Sequence, residues 1–223
     1  MSPANPIGKK MDQATNTNHW QQDSHPWKIL EGLIAADPVL RETALQQLAA
    51  WEGLEEQPLM IYLLATRILD PDLEIRYHAV QILGDLVDYD HPGEGLPAGS
   101  LQALTAFTAQ LDKGQLIQLL EVSAAYLAAE EAVGNILKLC SYAGKVLGGI
   151  VNDRRLTVEI RQQALFYCGE VGFLNTRRVI DNLIQRVRKA QANPGRITTR
   201  KKHADEETLL PFAVAALGKL ESS

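Results

Sequence analysis

Nine basic residues fall between Arg177 and Lys202, namely Arg177, Arg178, Arg186, Arg188, Lys189, Arg196, Arg200, Lys201 and Lys202. Asp181 is the lone acid among them. Cations at this density attract anions, either an acidic protein surface or phosphates. Thr198 and Thr199 add hydroxyls that can donate to phosphate oxygens. No aromatic residue is interleaved, so the run offers phosphate contact without base stacking. The plainer reading is a solvated basic face. Other reactive groups are sparse. His78 has base and ligand chemistry, but Glu74 one turn away and Gln81 make it a surface histidine. Asp88, Asp90, His91 and Glu94 carry metal-capable atoms, yet their spacing matches no ligand pattern, and Pro92-Gly93 reads as a turn. Neither a metal nor a cofactor is expected. Cys140 and Cys168 form no CxxC pair and are expected as buried thiols, close together if their helices make one hairpin. No Ser-His-Asp grouping, P-loop or dinucleotide fingerprint is present, so no catalytic constellation is visible.

The basic run is local. It holds nine of the 22 basic residues and one of the 27 acidic ones, which leaves 13 basic against 26 acidic elsewhere. The net charge of −5 speaks against a general nucleic-acid binder. Of the 223 residues 46% are hydrophobic and 6% aromatic, a balance that favours helix over strand. The first 25 residues are polar, rich in Asn, Gln and Thr, and without the apolar run of a signal peptide. No stretch reaches the length of a membrane span. A cytoplasmic protein is expected, with residues 1–25 as a disordered polar tail.

What must position these groups is a phrase repeated in the chain. It reads Asp37-Pro-Val-Leu-Arg41-Glu-Thr-Ala44-Leu45, then Asp72-Leu-Glu-Ile-Arg76-Tyr-His-Ala79-Val80, then Thr157-Val-Glu-Ile-Arg161-Gln-Gln-Ala164-Leu165. Seven residues past each Arg stands a core-type residue (Leu48, Leu83, Cys168), followed by a small one (Ala49, Gly84, Gly169). At about 100° per residue, Ile75, Ala79, Val80, Leu83, Gly84 and Leu86 share one helical face with Arg76 near its middle, and His78, Gln81 and Asp85 lie opposite. Looser copies centre on Leu120 and Leu210, giving separations of 35, 44, 41 and 49 residues. A recurring amphipathic unit marks stacked repeats, none able to bury its own stripe alone. Asp37, Asp72 and Thr157 suit N-caps, and Pro38 and Pro58 suit first helical turns. Partner helices are expected over 27–36, 58–69, 98–111, 132–151 and 176–191. Connections are expected over 89–99 and from 192 to 206, with a basic loop at 192–205.

Burial is expected for Arg41, Arg76 and Arg161. An unpaired charge there is costly, so each should meet a carboxylate or free carbonyls. Asp37, Asp70, Asp72 and Asp153 are the candidates. The opposite stripe of these helices carries Thr43, Gln46, Tyr77, His78, Gln81, Asp85, Gln162, Gln163, Phe166 and Glu170, a polar groove with two aromatic anchors.

The spacing, and above all Asp70-Pro-Asp72-Leu-Glu-Ile-Arg76 followed by Ala79 and Leu83-Gly84, resembles the HEAT-repeat family over about 27–220. The resemblance implies an all-α fold, a right-handed superhelix of about five antiparallel helix pairs (a HEAT-like alpha solenoid) over 26–221. It also implies an Asp–Arg ladder between repeats, with Asp70 and Arg76 in its positions, and a concave surface lined by the phrase helices. Ala35 and Arg155 stand where further ladder aspartates would align. The function it implies is a scaffold or adaptor holding a protein partner through the groove, the basic end, or both. The groove residues are Tyr77, His78, Gln81, Asp85, Gln163, Phe166 and Glu170. The basic-end residues are Arg178, Arg186, Lys189, Arg196, Arg200, Lys201 and Lys202. A small-molecule site is not expected. The alternative is nucleic-acid association through phosphates at 177–202. A third reading comes from helical-repeat proteins of similar kind that act as bilin lyases or DNA glycosylases. Trp20 and Trp27 flank the end of the tail, placed to cap the first hairpin.

Overall fold

A computed structural model describes residues 25–87, 95–192 and 200–222, and among them eleven α-helices and no strand. They are α1 (His25–Leu33), α2 (Pro38–Ala49), α3 (Pro58–Thr66), α4 (Leu73–Leu86), α5 (Ala98–Thr108), α6 (Lys113–Ala125), α7 (Glu130–Lys138), α8 (Ala143–Asn152), α9 (Val158–Glu170), α10 (Arg177–Ala192) and α11 (Arg200–Ser222). None is long and apolar enough to cross a membrane. The N-terminal tail, apart from His25, and the acidic loop with Asp88, Asp90, His91 and Glu94 lie outside the described residues.

The expected start signals operate. The Asp37 carboxylate accepts from the Val39 N–H at 2.9 Å, with Pro38 opening α2. Asp72 accepts from Glu74 at 2.9 Å, and Thr157 from Ile160 at 3.4 Å. Each such cap contributes about 1 kcal/mol. Asp112 and Gln115 form a full capping box at the start of α6 that the phrase did not flag.

The phrase helices bury the predicted stripe. Ala44, Leu45 and Leu48 of α2, Ala79, Val80 and Leu83 of α4, and Ala164, Leu165 and Cys168 of α9 are core residues. The small position after them marks where helices come closest. A Cβ on Gly84 would stand 2.5 Å from the Ala132 Cα of α7, and one on Gly169 would stand 2.7 Å from the Ala216 Cα of α11. Helix α2 packs on α4, α4 on α6 and α7, α6 on α9, and α9 on α11. The intervening helices pack α1 on α3, α3 on α5, and α8 on α10.

Two expectations need correction. The segment 132–151 is two helices, α7 and α8, separated by a turn in which the Cys140 N–H bonds the Leu137 carbonyl and the Ala143 N–H bonds the Cys140 carbonyl. This turn aims Tyr142, whose hydroxyl donates to the carbonyls of Thr108 and Leu111 past the end of α5. The connection from 192 to 206 is also shorter than expected. Residues 200–205 already belong to α11, which continues to Ser222 across an internal Pro211. Leu209, Ala213 and Leu220 of that last copy are buried, whereas Val214 is 46% exposed.

Candidate functional site

The phrase arginines are buried, each by a different arrangement. Arg41 donates to Asp70 through Nη2 at 2.9 Å, with its Nε 2.8 Å from the other carboxylate oxygen but without a hydrogen bond to it, while its Nη1 donates to the Ala35 and Ala36 carbonyls. Asp70 therefore pairs with the arginine of the preceding phrase rather than with its own Arg76. It also takes Arg67 at 3.4 Å and the Asp72 N–H at 3.0 Å. Arg67 bonds the Leu33 carbonyl at 3.0 Å, and desolvation holds its guanidinium below the usual arginine range. Arg76 meets Glu121 of α6 at 3.1 Å. Arg161 meets no carboxylate within ion-pair distance among the described residues, and its Nε donates to the Val151 carbonyl at 2.9 Å. Of the four candidate aspartates, only Asp70 holds a phrase arginine. Asp37 and Asp72 cap helices. Asp153 binds Lys113 at 2.7 Å and Arg155 at 3.0 Å, and these bonds hold its carboxyl well below the usual carboxylate range.

The predicted groove residues form a cross-linked stripe. Glu42 of α2 meets His78 of α4 at 2.8 Å. Tyr77 stacks on Tyr126 with ring centroids 4.3 Å apart. Gln81 donates to the Ala128 carbonyl at 2.9 Å, and Ser123 of α6 donates to Gln163 of α9 at 3.3 Å. Glu170 of α9 binds Lys219 of α11, whose ammonium stands 5.5 Å over the Phe166 ring. Asp85 joins Gln81, Glu131 and Asn135 around a shallow polar pocket between α4 and α7. Tyr77, His78, Gln81, Gln163 and Phe166 are half-buried, and Asp85 and Glu170 are exposed. The sequence placed these side chains on one flank. Their partners Tyr126, Ser123 and Lys219 lie in the looser copies and were not among the groove residues expected.

At the basic end, Arg178 and Lys189 are exposed on α10, and Arg186 is drawn to Asn152 and Glu206. Arg177 pairs with Glu221 at 2.8 Å. Arg196 lies outside the described residues. Arg200, Lys201 and Lys202 open α11 rather than sitting in a loop.

The remaining candidates hold little chemistry. Cys140 and Cys168 are buried free thiols. Burial pushes Cys168 up to about 12 and raises Cys140, so neither presents a thiolate nucleophile. No group of three or more metal-capable side chains occurs among the described residues. Trp27 is 65% exposed in α1, and Trp20 lies outside the described residues.

Neither a family model nor a curated protein matches this sequence. Among solved structures, a crystal structure of an engineered protein is similar at 14% identity with a TM-score of 0.43, over 87% of this chain and 78% of that one. At that level the likeness carries neither a fold assignment nor a function.

Proposed function

We propose that the chain is a HEAT-like repeat scaffold, a right-handed solenoid that binds a protein partner along the flank of α2, α4, α9 and α11 and performs no chemistry of its own. The observation that carries this reading is the stripe linked from helix to helix by Glu42–His78, Tyr77–Tyr126, Ser123–Gln163 and Glu170–Lys219. Side chains already tied to their neighbours lose less freedom when a partner docks. Tyr77 and Phe166 are half-buried rings held by a stack and by a cation, the type of rigid aromatic anchor that concentrates binding energy. The succession of phrase helices, each packed on the next, supports the solenoid arrangement.

Nucleic-acid association through α10 is the second reading, favoured by exposed Arg178, Arg188 and Lys189. It ranks below the first because Arg177 and Arg186 of the same helix are engaged by Glu221 and Glu206.

The test is affinity capture from the source organism with wild type, a Tyr77→Ala/Phe166→Ala variant and an Arg178→Ala/Lys189→Ala variant, each checked for helical content and melting. The expected result is one stoichiometric protein whose affinity falls about thirtyfold in the aromatic variant. Equal capture by wild type and the aromatic variant would remove the stripe from the binding surface. Copurifying nucleic acid lost only in the basic variant would establish the second reading instead.

A further inference from the structure

Two guanidinium groups meet at Glu206, those of Arg154 and Arg186, where the C-terminal end of α8 and its following turn meet α9, α10 and α11, and a third lies beside them: Arg161 Nε donates to the Val151 carbonyl, next to the Asn152 that Arg186 binds. Arg154 follows α8, Arg161 belongs to α9 and Arg186 to α10. Glu206 is 3% exposed. Its Oε1 accepts from Arg154 Nε at 2.9 Å and Nη2 at 2.8 Å, and from Arg186 Nη2 at 3.4 Å. The two terminal nitrogens of Arg186 also share Asn152 Oδ1, each at 3.3 Å.

That single buried carboxylate leaves donors over. Arg161 is 2% exposed, and its Nη2 has no hydrogen-bond partner. The Nε of Arg186 is likewise buried and without one. Arg41 and Arg76 of the equivalent phrases also bury an Nε without a hydrogen-bond partner, but each has a carboxylate within ion-pair distance, which Arg161 lacks among the described residues. Desolvation holds the Arg161 guanidinium below the usual arginine range, and the charges of Arg154 and Arg186 press it the same way against the attraction of Glu206 and the exposed Asp205. A buried, hydrogen-bonding cation in like-charged company calls for more acceptor capacity than one carboxylate oxygen supplies.

We propose that Arg154, Arg161 and Arg186 form a binding site for a phosphate-class oxyanion, with Glu206 as the internal carboxylate that occupies it in the empty state. Phosphate presents several acceptor oxygens in different directions, which suits donors such as Arg161 Nη2 and Arg186 Nε beside those now on Glu206. Inorganic phosphate and a phosphomonoester share this chemistry. The site stands independently of the stripe between α2 and α11, so its failure leaves the scaffold reading intact, and the converse also holds.

The experiment is calorimetric titration of the full chain with inorganic phosphate and with N-acetyl-phosphoserine amide, at ionic strength fixed with KCl so that general screening cancels. Glu206→Gln removes the competing charge and is expected to tighten phosphate binding about ten- to hundredfold, the size of one hydrogen bond to a charged group. Adding Arg154→Met to that variant is expected to return binding to the wild-type level or weaker. Tighter binding of inorganic phosphate than of the phosphoserine amide identifies the free ion as ligand, and the reverse order identifies a phosphorylated group. Equal affinity of wild type and Glu206→Gln for both probes overturns the proposal. If Glu206→Gln does not fold, the melting temperature of wild type decides. It must rise in phosphate over KCl of equal ionic strength and lose that rise in Arg154→Met, and identical shifts in both salts overturn the site.

Discussion

Replacing Asp70 with Ala isolates the contact that ties the first phrase helix to the second. The Asp70 side chain is fully enclosed and that of Arg41 is 8% exposed, so solvent does little to screen the pair. The change leaves Arg41 Nη2 and the Asp72 N–H without an acceptor and removes the charge that faces Arg41 Nε at 2.8 Å. Arg41 keeps the carbonyls of Ala35 and Ala36, and Arg67 keeps that of Leu33, which places the cost at the lower end of the range for breaking a buried pair, about 3 kcal/mol. For a chain of this size that lowers the melting temperature by about 6–12 °C. Arg41→Met is expected to cost less, because Asp70 retains Arg67 and the Asp72 N–H. The Arg41→Met/Asp70→Ala double variant is expected to be more stable than the sum of the singles predicts, with a coupling of about 2 kcal/mol. Urea denaturation followed by circular dichroism measures all four proteins, with unchanged m-values required for the comparison. Single effects that add to within about 0.5 kcal/mol would refute the reasoning, since they would mean that Arg41 and Asp70 stabilise the fold independently.

Two further outcomes follow from the packing and the charges. Gly84→Ala is expected to destabilise by about 1–2 kcal/mol, because its Cβ would stand 2.5 Å from the Ala132 Cα and the gain in helix propensity does not offset that overlap. Gly149→Ala, on α8 with no atom within 4 Å of the new Cβ, is expected to stabilise by about 0.5–1 kcal/mol, and thermal melts of both variants check the contrast. Asp153 has a folded-state pKa depressed by Arg155 and Lys113, so the stability it adds is present above the ordinary carboxylate pKa near 4 and is lost as pH falls through the folded value. Urea midpoints of wild type and Asp153→Asn should therefore differ at neutral pH and converge toward strong acid; a constant gap across that window would exclude Asp153 as the cause.

The sequence made the phrase helices legible because burial repeats with their period. Ile75, Ala79, Val80, Leu83 and Gly84 all lie where a helix of that register puts them. Periodicity reports which face is buried, and it is silent on which neighbour covers it. Asp70 was a marked residue, yet its partner is Arg41, 29 positions back, a register set by how α2 lies on α4. The break between α7 and α8 carries no Gly or Pro at Leu139–Tyr142, and apolar residues continue on both sides, so the pattern ran through it. The start of α11 failed for the opposite reason. Arg200–Glu206 (RKKHADE) offers almost no apolar residue, and among its described side chains the buried one is Glu206. The flank was readable as a set of residues on one side, whereas the bonds joining it depend on Tyr126, Ser123 and Lys219, which belong to the looser copies around Leu120 and Leu210 and were not among the groove residues expected.

Pro211 splits the longest helix into parts that are moored differently. Having no N–H, it leaves the Glu207 carbonyl without its ladder partner, so the rod opens most cheaply at that point. Behind the proline, Ala213, Ala216 and Leu220 anchor the helix by apolar contact that neither salt nor acid loosens much. Ahead of it, only Leu209 and Glu206 are buried among the described side chains. The leading part of the rod thus adds an electrostatic tie at Glu206 to the apolar contact of Leu209, and whatever competes for those arginines also bears on how firmly that arm is latched.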